Sequence, residues 1–393
     1  MLKISFKELF PPSFLLINTL ALINLTWFVI QDVFQNIPYV AFFYYFSIVV
    51  SGFIGIFLLR EKLRSRNNLL YVTLIGALSY TIFSFTLENG LIAIISTIVI
   101  GASFGLTTPI YLSFSAVYSE IEKRGRFCSS LFFFTQFFIV ANCGLLRTLN
   151  TLIVLLVMAG WKTANAIALL FCKSVMGSLK TVPHMKNAIR GRLFFLYFVP
   201  WLMFCLVNYI EGPIIHHFFG NEIFQSYLMM GASLAGVSAF LGGFICDFRG
   251  RRMAGILGFV LLGLSYGILS FFYSFDIVKT FFIVIEGIAW GILYVTFVFV
   301  IWGDISEGDD KEIYYFLGNL PFLLSNVIYF FAEKFKIAEI IAVSASFSVA
   351  SFFIFLAVVP LLYAPETLPE RVIREKELRS YVEKAKRLAE KYS

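Results

Sequence analysis

The sequence predicts an all-α protein that crosses a membrane twelve times, and three observations carry that reading. Of its 393 residues, 59% are apolar and only 14% are charged, against roughly 25% charged in a typical soluble domain. The mean hydropathy is +0.85 and 48 residues are Phe. One soluble core cannot bury that much apolar surface, so lipid is the solvent for most of the chain. The apolar residues also fall into separate runs, each long enough to cross as a helix. An ordinary soluble enzyme is excluded.

The first six runs lie near 13–31, 38–59, 68–87, 91–115, 127–147 and 151–172. Six more follow near 193–213, 224–245, 253–273, 279–302, 314–332 and 338–362. The start, MLKISFKELFPPS, lacks the basic region, short apolar core and small-residue cleavage site of a signal peptide, so Met1 onward reads as mature protein.

Basic residues flanking spans are retained on the cytoplasmic side. With the N-terminus inside, outer loops hold only Arg147, Lys279, Lys334 and Lys336 of the 31 Lys and Arg, and Lys162 lies within a span. Both termini are therefore expected in the cytoplasm of a multi-pass protein, with the cell membrane as the expected location. One inner loop is acidic, 303–312 (GDISEGDDKE). Acidic residues weigh little in orientation, and this loop is expected to face basic loops instead.

The tail opens with a capping-box pattern, Thr367 to Glu370, with Pro369 in the first turn. Leu378, Tyr381, Val382, Ala385, Leu388 and Ala389 then repeat at helical spacing. An amphipathic cytoplasmic helix is predicted, lying on anionic lipid, docked under the bundle or simply solvated.

Cys128, Cys143, Cys172, Cys205 and Cys246 lie in or beside apolar runs without CxxC spacing, which suggests packing rather than disulfides or zinc. His184 sits in a basic loop, and His216 and His217 lack the i, i+4 spacing of a helical metal site. No metal, cofactor or nucleic-acid partner is expected. An intramembrane enzyme is disfavoured, because no HExxH and no nucleophile with an adjacent base is found.

The chain also repeats itself. A basic turn follows span 2 (from Gly55) and another follows span 8 (from Gly243), 188 residues apart; Glu120 after span 4 and Glu307 after span 10 are 187 apart. Two agreeing offsets near half the chain indicate two pseudo-symmetric six-helix bundles. Their expected limits are 1–172 and 193–363, joined by a cytoplasmic loop at 173–192 and followed by a tail at 364–393.

These residues carry a resemblance. Gly243-x-x-x-Asp247-x-x-Gly250-Arg251-Arg252 resembles the cytoplasmic loop motif of the major facilitator superfamily. Glu120-x-x-x-Arg124-Gly125-Arg126 resembles that family's acid and Arg-Gly loop, and Pro365-Glu366-Thr367 is similar to an ending many members carry. The last two lean toward the sugar or metabolite branches, although the PESPR-like sequence frequent after helix 6 in sugar porters is absent. Physically, Gly250 supplies a tight turn, while Arg251 and Arg252 hold the hairpin inside. Asp247 can pair with an Arg or accept from a neighbouring helix's N-terminal amides, making a latch that forms in one conformation and breaks in the other. The first-half copy departs from the pattern, with Leu59 at the aspartate position and Ser65 at the second glycine.

The resemblance implies a central cavity lined by the first and fourth helices of each half, open alternately to either side. Ionisable groups inside spans are functional hypotheses by default. Glu286 in span 10 is expected to carry a proton or pair with a cationic solute, or else to brace neighbouring helices. Lys162 depends on the frame of span 6. Counted from Asn150 it lies deep in the membrane, whereas Gly160-Trp161-Lys162 resembles the outer start of a sixth helix and would make it an interfacial anchor. Asn24, Gln136, Asn142, Asn208, Asn319 and Asn326 are candidates to hydrogen-bond a solute, or equally to bridge helices. Asp32 and Glu211 are expected to be solvated near outer span ends. Gly101, Gly105, Gly287 and Gly291 should let helices pack closely.

The predicted function is transport of a small solute by alternating access, with protons as a possible second partner besides the bilayer and the solute. The alternative is a transport-inactive receptor or scaffold of the same fold acting through its C-terminal helix, for which the degenerate first latch speaks. No nucleotide-binding Walker sequence is present.

Overall fold

The computed structural model describes residues 6–33, 39–87, 89–146, 148–172, 191–306 and 310–369. The predicted tail helix, the central loop up to residue 190 and Glu307 lie outside them. Among the described residues, twelve helices are long and apolar enough to cross a membrane. The first half contains α1 (Phe6–Val33), α2 (Tyr39–Phe57), α3 (Arg66–Phe85), α4 (Gly90–Val117), α5 (Arg124–Leu146) and α6 (Thr151–Phe171). The second contains α7 (Gly191–Phe219), α8 (Asn221–Phe248), α9 (Arg251–Phe272), α10 (Asp276–Ile305), α11 (Lys311–Lys334) and α12 (Val343–Tyr363).

Local chemistry sets several ends. The Asn89 side chain accepts from the Ile92 amide at 3.3 Å and Asn150 from the Leu152 amide at 3.2 Å, so asparagine caps open α4 and α6. Span 12 begins later than predicted. Lys336 adopts a left-handed conformation (φ 52°), and a short turn at Ile337–Ile340 precedes extended Ala342. The residues from Ile337 to Val343 carry a single charge, Glu339, so hydropathy alone could not show the break.

The two halves pack alike. α2 lies on α4 as α8 lies on α10; α1 meets α6 as α7 meets α12, and α3 meets α6 as α9 meets α12. Small residues make the repeated crossings possible. A Cβ on Gly101 would come within 2.6 Å of the Tyr44 carbonyl oxygen, and one on Gly287 within 2.8 Å of the Leu234 Cβ. Outward faces expose large apolar side chains such as Phe137, Leu91 and Phe271, as a lipid-facing surface requires.

The halves join along two seams, α5 against α8 and α2 against α11. At the basic-loop end of the first seam, Gly125 and Gly243 face each other: a Cβ on Gly243 would lie 2.6 Å from the Gly125 carbonyl oxygen and 2.6 Å from Ser129 Oγ. Gly243→Ala must push these helices apart. Overpacking of this kind costs about 1–3 kcal/mol, so a lowered unfolding temperature in detergent is expected.

Candidate functional site

The buried charges concentrate at the basic-loop face, where the halves meet. Asp247, at the end of α8, is fully buried and accepts from the Gly125 amide at 2.8 Å, the Arg126 amide at 3.1 Å and Arg126 Nε at 3.0 Å. Its carboxylate therefore caps the N-terminus of α5, in the other half, where exposed amides and the helix dipole favour a negative charge.

Asp304, near the end of α10, holds two arginines from different halves. It accepts from Arg251 Nε at 2.7 Å and pairs with Arg124 Nη1. Arg251, fully buried at the start of α9, also donates to the Cys246 and Ile121 carbonyls at 2.6 and 2.5 Å. Arg124 donates to the Ala116 carbonyl at 3.1 Å and Ser119 Oγ at 3.0 Å.

Glu366 completes this end. Its carboxylate accepts from the amides of Arg251, Arg252, Thr367 and Leu368 at 2.8–3.1 Å, tying the chain after α12 to the N-terminus of α9. Gly250 makes room for it. Its φ of 103° suits only glycine, and a Cβ there would overlap the Glu366 carboxylate.

The second seam is fastened by a different device. Arg60 Nη2 meets Asp310 Oδ1 at 2.5 Å, and Arg64 donates Nε and Nη2 to both oxygens of fully buried Glu312 at 2.9 and 3.1 Å. The acidic loop at 303–312 thus supplies partners to arginines of the first half, in keeping with its expected placement opposite basic loops. These ion pairs stand where Leu59 leaves the first-half motif without an aspartate. Glu120 departs from expectation. It projects outward from the turn before Ile121–Lys123 and bonds exposed Lys123 at 2.8 Å, which draws its carboxyl below the usual carboxylate range. It does not reach the other half, and Arg124 takes its place in the network.

At the centre, aromatic rings bridge the halves. Tyr294 of α10 stacks on Phe132 of α5 at 5.0 Å and packs against Trp290 at 4.9 Å and Phe322 of α11 at 5.2 Å. Tyr209 of α7 and Tyr45 of α2 lie within electrostatic reach of it. Glu286, Trp290 and Tyr294 are four residues apart on one face of α10. Glu286 is 3% exposed and accepts from Tyr227 Oη of α8 at 2.6 Å and from Trp290 Nε1 at 3.4 Å.

The amide candidates divide. Asn24 and Asn142 donate to carbonyls of their own helices, Leu20 at 2.8 Å and Phe138 at 2.7 Å. Asn319 bridges helices, donating to Val298 at 3.1 Å within the π-helical stretch Val295–Val300 of α10. Gln136 lies on the α5–α8 seam beside Gly236. Asn208 and Asn319 each keep a buried Oδ1 without a hydrogen-bond partner.

Two titratable groups require correction. α6 starts after Asn150, so Lys162 sits in mid-helix, 1% exposed, and is no interfacial anchor. Its ammonium lies 3.5 Å from the centroid of the Phe104 ring, and no ion pair to it is found among the described residues. Glu211 is not solvated either. α7 continues to Phe219, past the predicted end, and places Glu211 within the helix, 5% exposed and accepting from Ser346 Oγ of α12 at 2.6 Å.

Sequence reasoning missed Asp304 as the central anion, Glu366 as a cap and the Tyr209–Tyr294 centre. The acidic character of 303–312 was the available signal for Asp304, and the Glu286-Trp290-Tyr294 spacing for the centre.

No family model and no curated protein matches the sequence. Solved structures do match. A bacterial homologue of the iron transporter ferroportin, in an outward-facing state, shares 14% identity with a TM-score of 0.70, covering 91% of this chain and 98% of that one. The human organic anion transporter MFSD10 shares 12% identity at a TM-score of 0.66, covering 90% and 99%. The proton:xylose symporter XylE shares 14% at 0.62, covering 91% and 94%. Twelve spans, equivalent packing in two six-helix halves and matches over nearly whole chains lead to one conclusion: this chain has the major facilitator superfamily fold.

Proposed function

We propose that this protein moves a small solute across a membrane by alternating access of its two bundles. The observation that carries the reading is the pairing of a polar fastening at one face with an aromatic centre between the halves. Asp247 on the α5 amides, Asp304 on Arg124, and Glu312 on Arg64 close the basic-loop face through contacts that cross from one half to the other. Such contacts can be exchanged for water when that face opens, whereas apolar packing of the same area resists rehydration. Trp290, Tyr294 and Tyr209, with the free Asn208 carbonyl, offer ring faces and a few polar groups, as a site for a polar solute with an apolar face does. A sugar or similar metabolite has that character.

The test is a thermal-shift screen of the purified protein against sugars, carboxylates, amino acids and cationic drugs, followed by flux of the hits into proteoliposomes. A ligand at 100 times its dissociation constant adds about 2.7 kcal/mol. Saturable flux of a hit, lost in Asp247→Asn, is the expected result. Binding without flux would overturn alternating access and favour a receptor. The absent aspartate at Leu59 does not argue for that alternative, because Arg60 and Arg64 fasten the same seam.

Coupling to protons is proposed on Glu286, the buried carboxylate beside this centre. Glu286→Gln keeps the shape and the Tyr227 contact but cannot exchange a proton. It is expected to reduce uptake driven by a pH gradient at least 10-fold while leaving solute exchange intact; full pH-dependent uptake in this variant would sink the idea.

A further inference from the structure

Where the start of α7 passes the end of α12, a pocket of about 580 Å³ opens at the basic-loop face. It is lined by Gly191, Arg192, Leu193 and Leu196 of α7, by Tyr363 at the end of α12 and by Pro365 just after it. Both walls are held by buried groups. Tyr197, fully buried, donates its hydroxyl to the Pro365 carbonyl at 2.9 Å, and Arg252 donates to the Ala364 carbonyl at 3.3 Å. On the other wall Phe194 stacks on Phe198 at 5.2 Å and packs against fully buried Trp302 at 5.3 Å. The pocket is therefore built by the folded bundle.

Its chemistry is one cation on an apolar lining. Arg192 carries the only charge among the described lining residues, and no ion pair or hydrogen bond to its guanidinium is found among the described residues. Glu366, next to Pro365, does not neutralise it, because that carboxylate is taken up by the amides of Arg251, Arg252, Thr367 and Leu368. The surface beside the pocket is exposed and apolar, with Phe195 on α7 and Val359 and Leu362 on α12. Tyr363 is exposed where the span ends, as amphipathic rings are at headgroup depth.

We infer that this pocket binds the headgroup of an anionic phospholipid, with its phosphate on Arg192 and its acyl chains along Phe195 and Leu362. A guanidinium fork matches phosphate oxygens two at a time. No carboxylate among the described lining residues answers the ammonium of a zwitterionic headgroup. A free phosphate ion would leave Leu193, Leu196 and Tyr363 uncovered, whereas a lipid covers them. The volume lies in the range of about 300–1,000 Å³ that ligand clefts take, and basic pockets between spans are a known seat for anionic headgroups. The site is separate from the proposed solute centre, and its test does not depend on transport.

Thermal unfolding of the purified, delipidated full chain, titrated with phosphatidylglycerol in mixed micelles, reads the site directly. A saturable rise in unfolding temperature is expected with phosphatidylglycerol and not with phosphatidylcholine or inorganic phosphate. Arg192→Gln removes an exposed charge and should raise half-saturation at least 10-fold, while Lys62→Gln, an exposed cation of the other half, should leave it unchanged. Leu196→Trp fills the pocket with Arg192 intact and should abolish the rise, which general attraction between a basic face and anionic lipid would not do. Equal stabilisation by phosphatidylcholine, or a phosphatidylglycerol effect unchanged in Arg192→Gln and Leu196→Trp, would overturn the inference. So would a rise that inorganic phosphate reproduces, which would assign the pocket to a soluble anion. A rise that appears only after residues 370–393 are deleted would overturn it too, and would assign the pocket to the tail.

Discussion

Asp304→Asn is expected to destabilise the protein by about 3–5 kcal/mol, the usual cost of stranding buried charge. The carboxylate is 1% exposed and answers Arg124 of the first half and Arg251 of the second, which are themselves 4% and 0% exposed. Asparagine keeps one acceptor oxygen and turns a donor amide toward a guanidinium. Both arginines lose their shared anion, although each retains backbone carbonyls. Thermal unfolding in detergent should show the loss, and a cysteine probe placed on the basic-loop end of α8 should become more reactive as the halves part. Stability within about 1 kcal/mol of wild type would show that water or Asp247 replaces the anion, and that Asp304 is not the hub of this face. Asp247, 3.7 Å from Arg251, is the nearest substitute on the same helix hairpin.

Lys162→Met is expected to act in the opposite direction. The lysine is buried against Phe104 of α4, and a Cβ on Gly76 of α3 would lie 3.0 Å from its Cε, so the side chain fills a space between three helices. Methionine fills a similar space without the amine. A cation–π contact returns at most about 2 kcal/mol, less than the desolvation of an ammonium. The substitution should stabilise by about 2–3 kcal/mol, the difference between these terms as order-of-magnitude figures. A raised unfolding temperature together with lost flux would mark Lys162 as a residue kept for function at the expense of stability. A lowered temperature would mean that the amine has a structural bond and that the position is only packing.

The sequence carried the spans well because lipid imposes one rule on every segment: a helix must be long and apolar from end to end. Hydropathy therefore located all twelve, and errors fell where hydropathy has no information. The break before α12 is a conformational event at Lys336, where the backbone turns left-handed, and α7 runs on to Phe219, past the expected end of its apolar run near 213. Asp247, Gly250 and Arg251 were legible because the motif that carries them lies within one hairpin, where spacing encodes geometry, although Asp247 and Arg251 make contacts with the other half. Glu120 was misplaced for the converse reason. Which way a loop carboxylate turns depends on the helical turn that follows it, and this one turns to Lys123.

By itself, then, the sequence determined the number of spans, their duplication and the residues able to make a polar fastening. These follow from solvent and from periodicity, which are properties of a segment alone. Only the tertiary structure decided which charges meet. Arg60 reaches Asp310 across 250 positions of chain and Arg124 reaches Asp304 across 180. It also decided that Lys162 and Glu211 are buried. Pairing between distant helices depends on how two bundles dock, and docking is set by the summed packing of whole faces rather than by any motif.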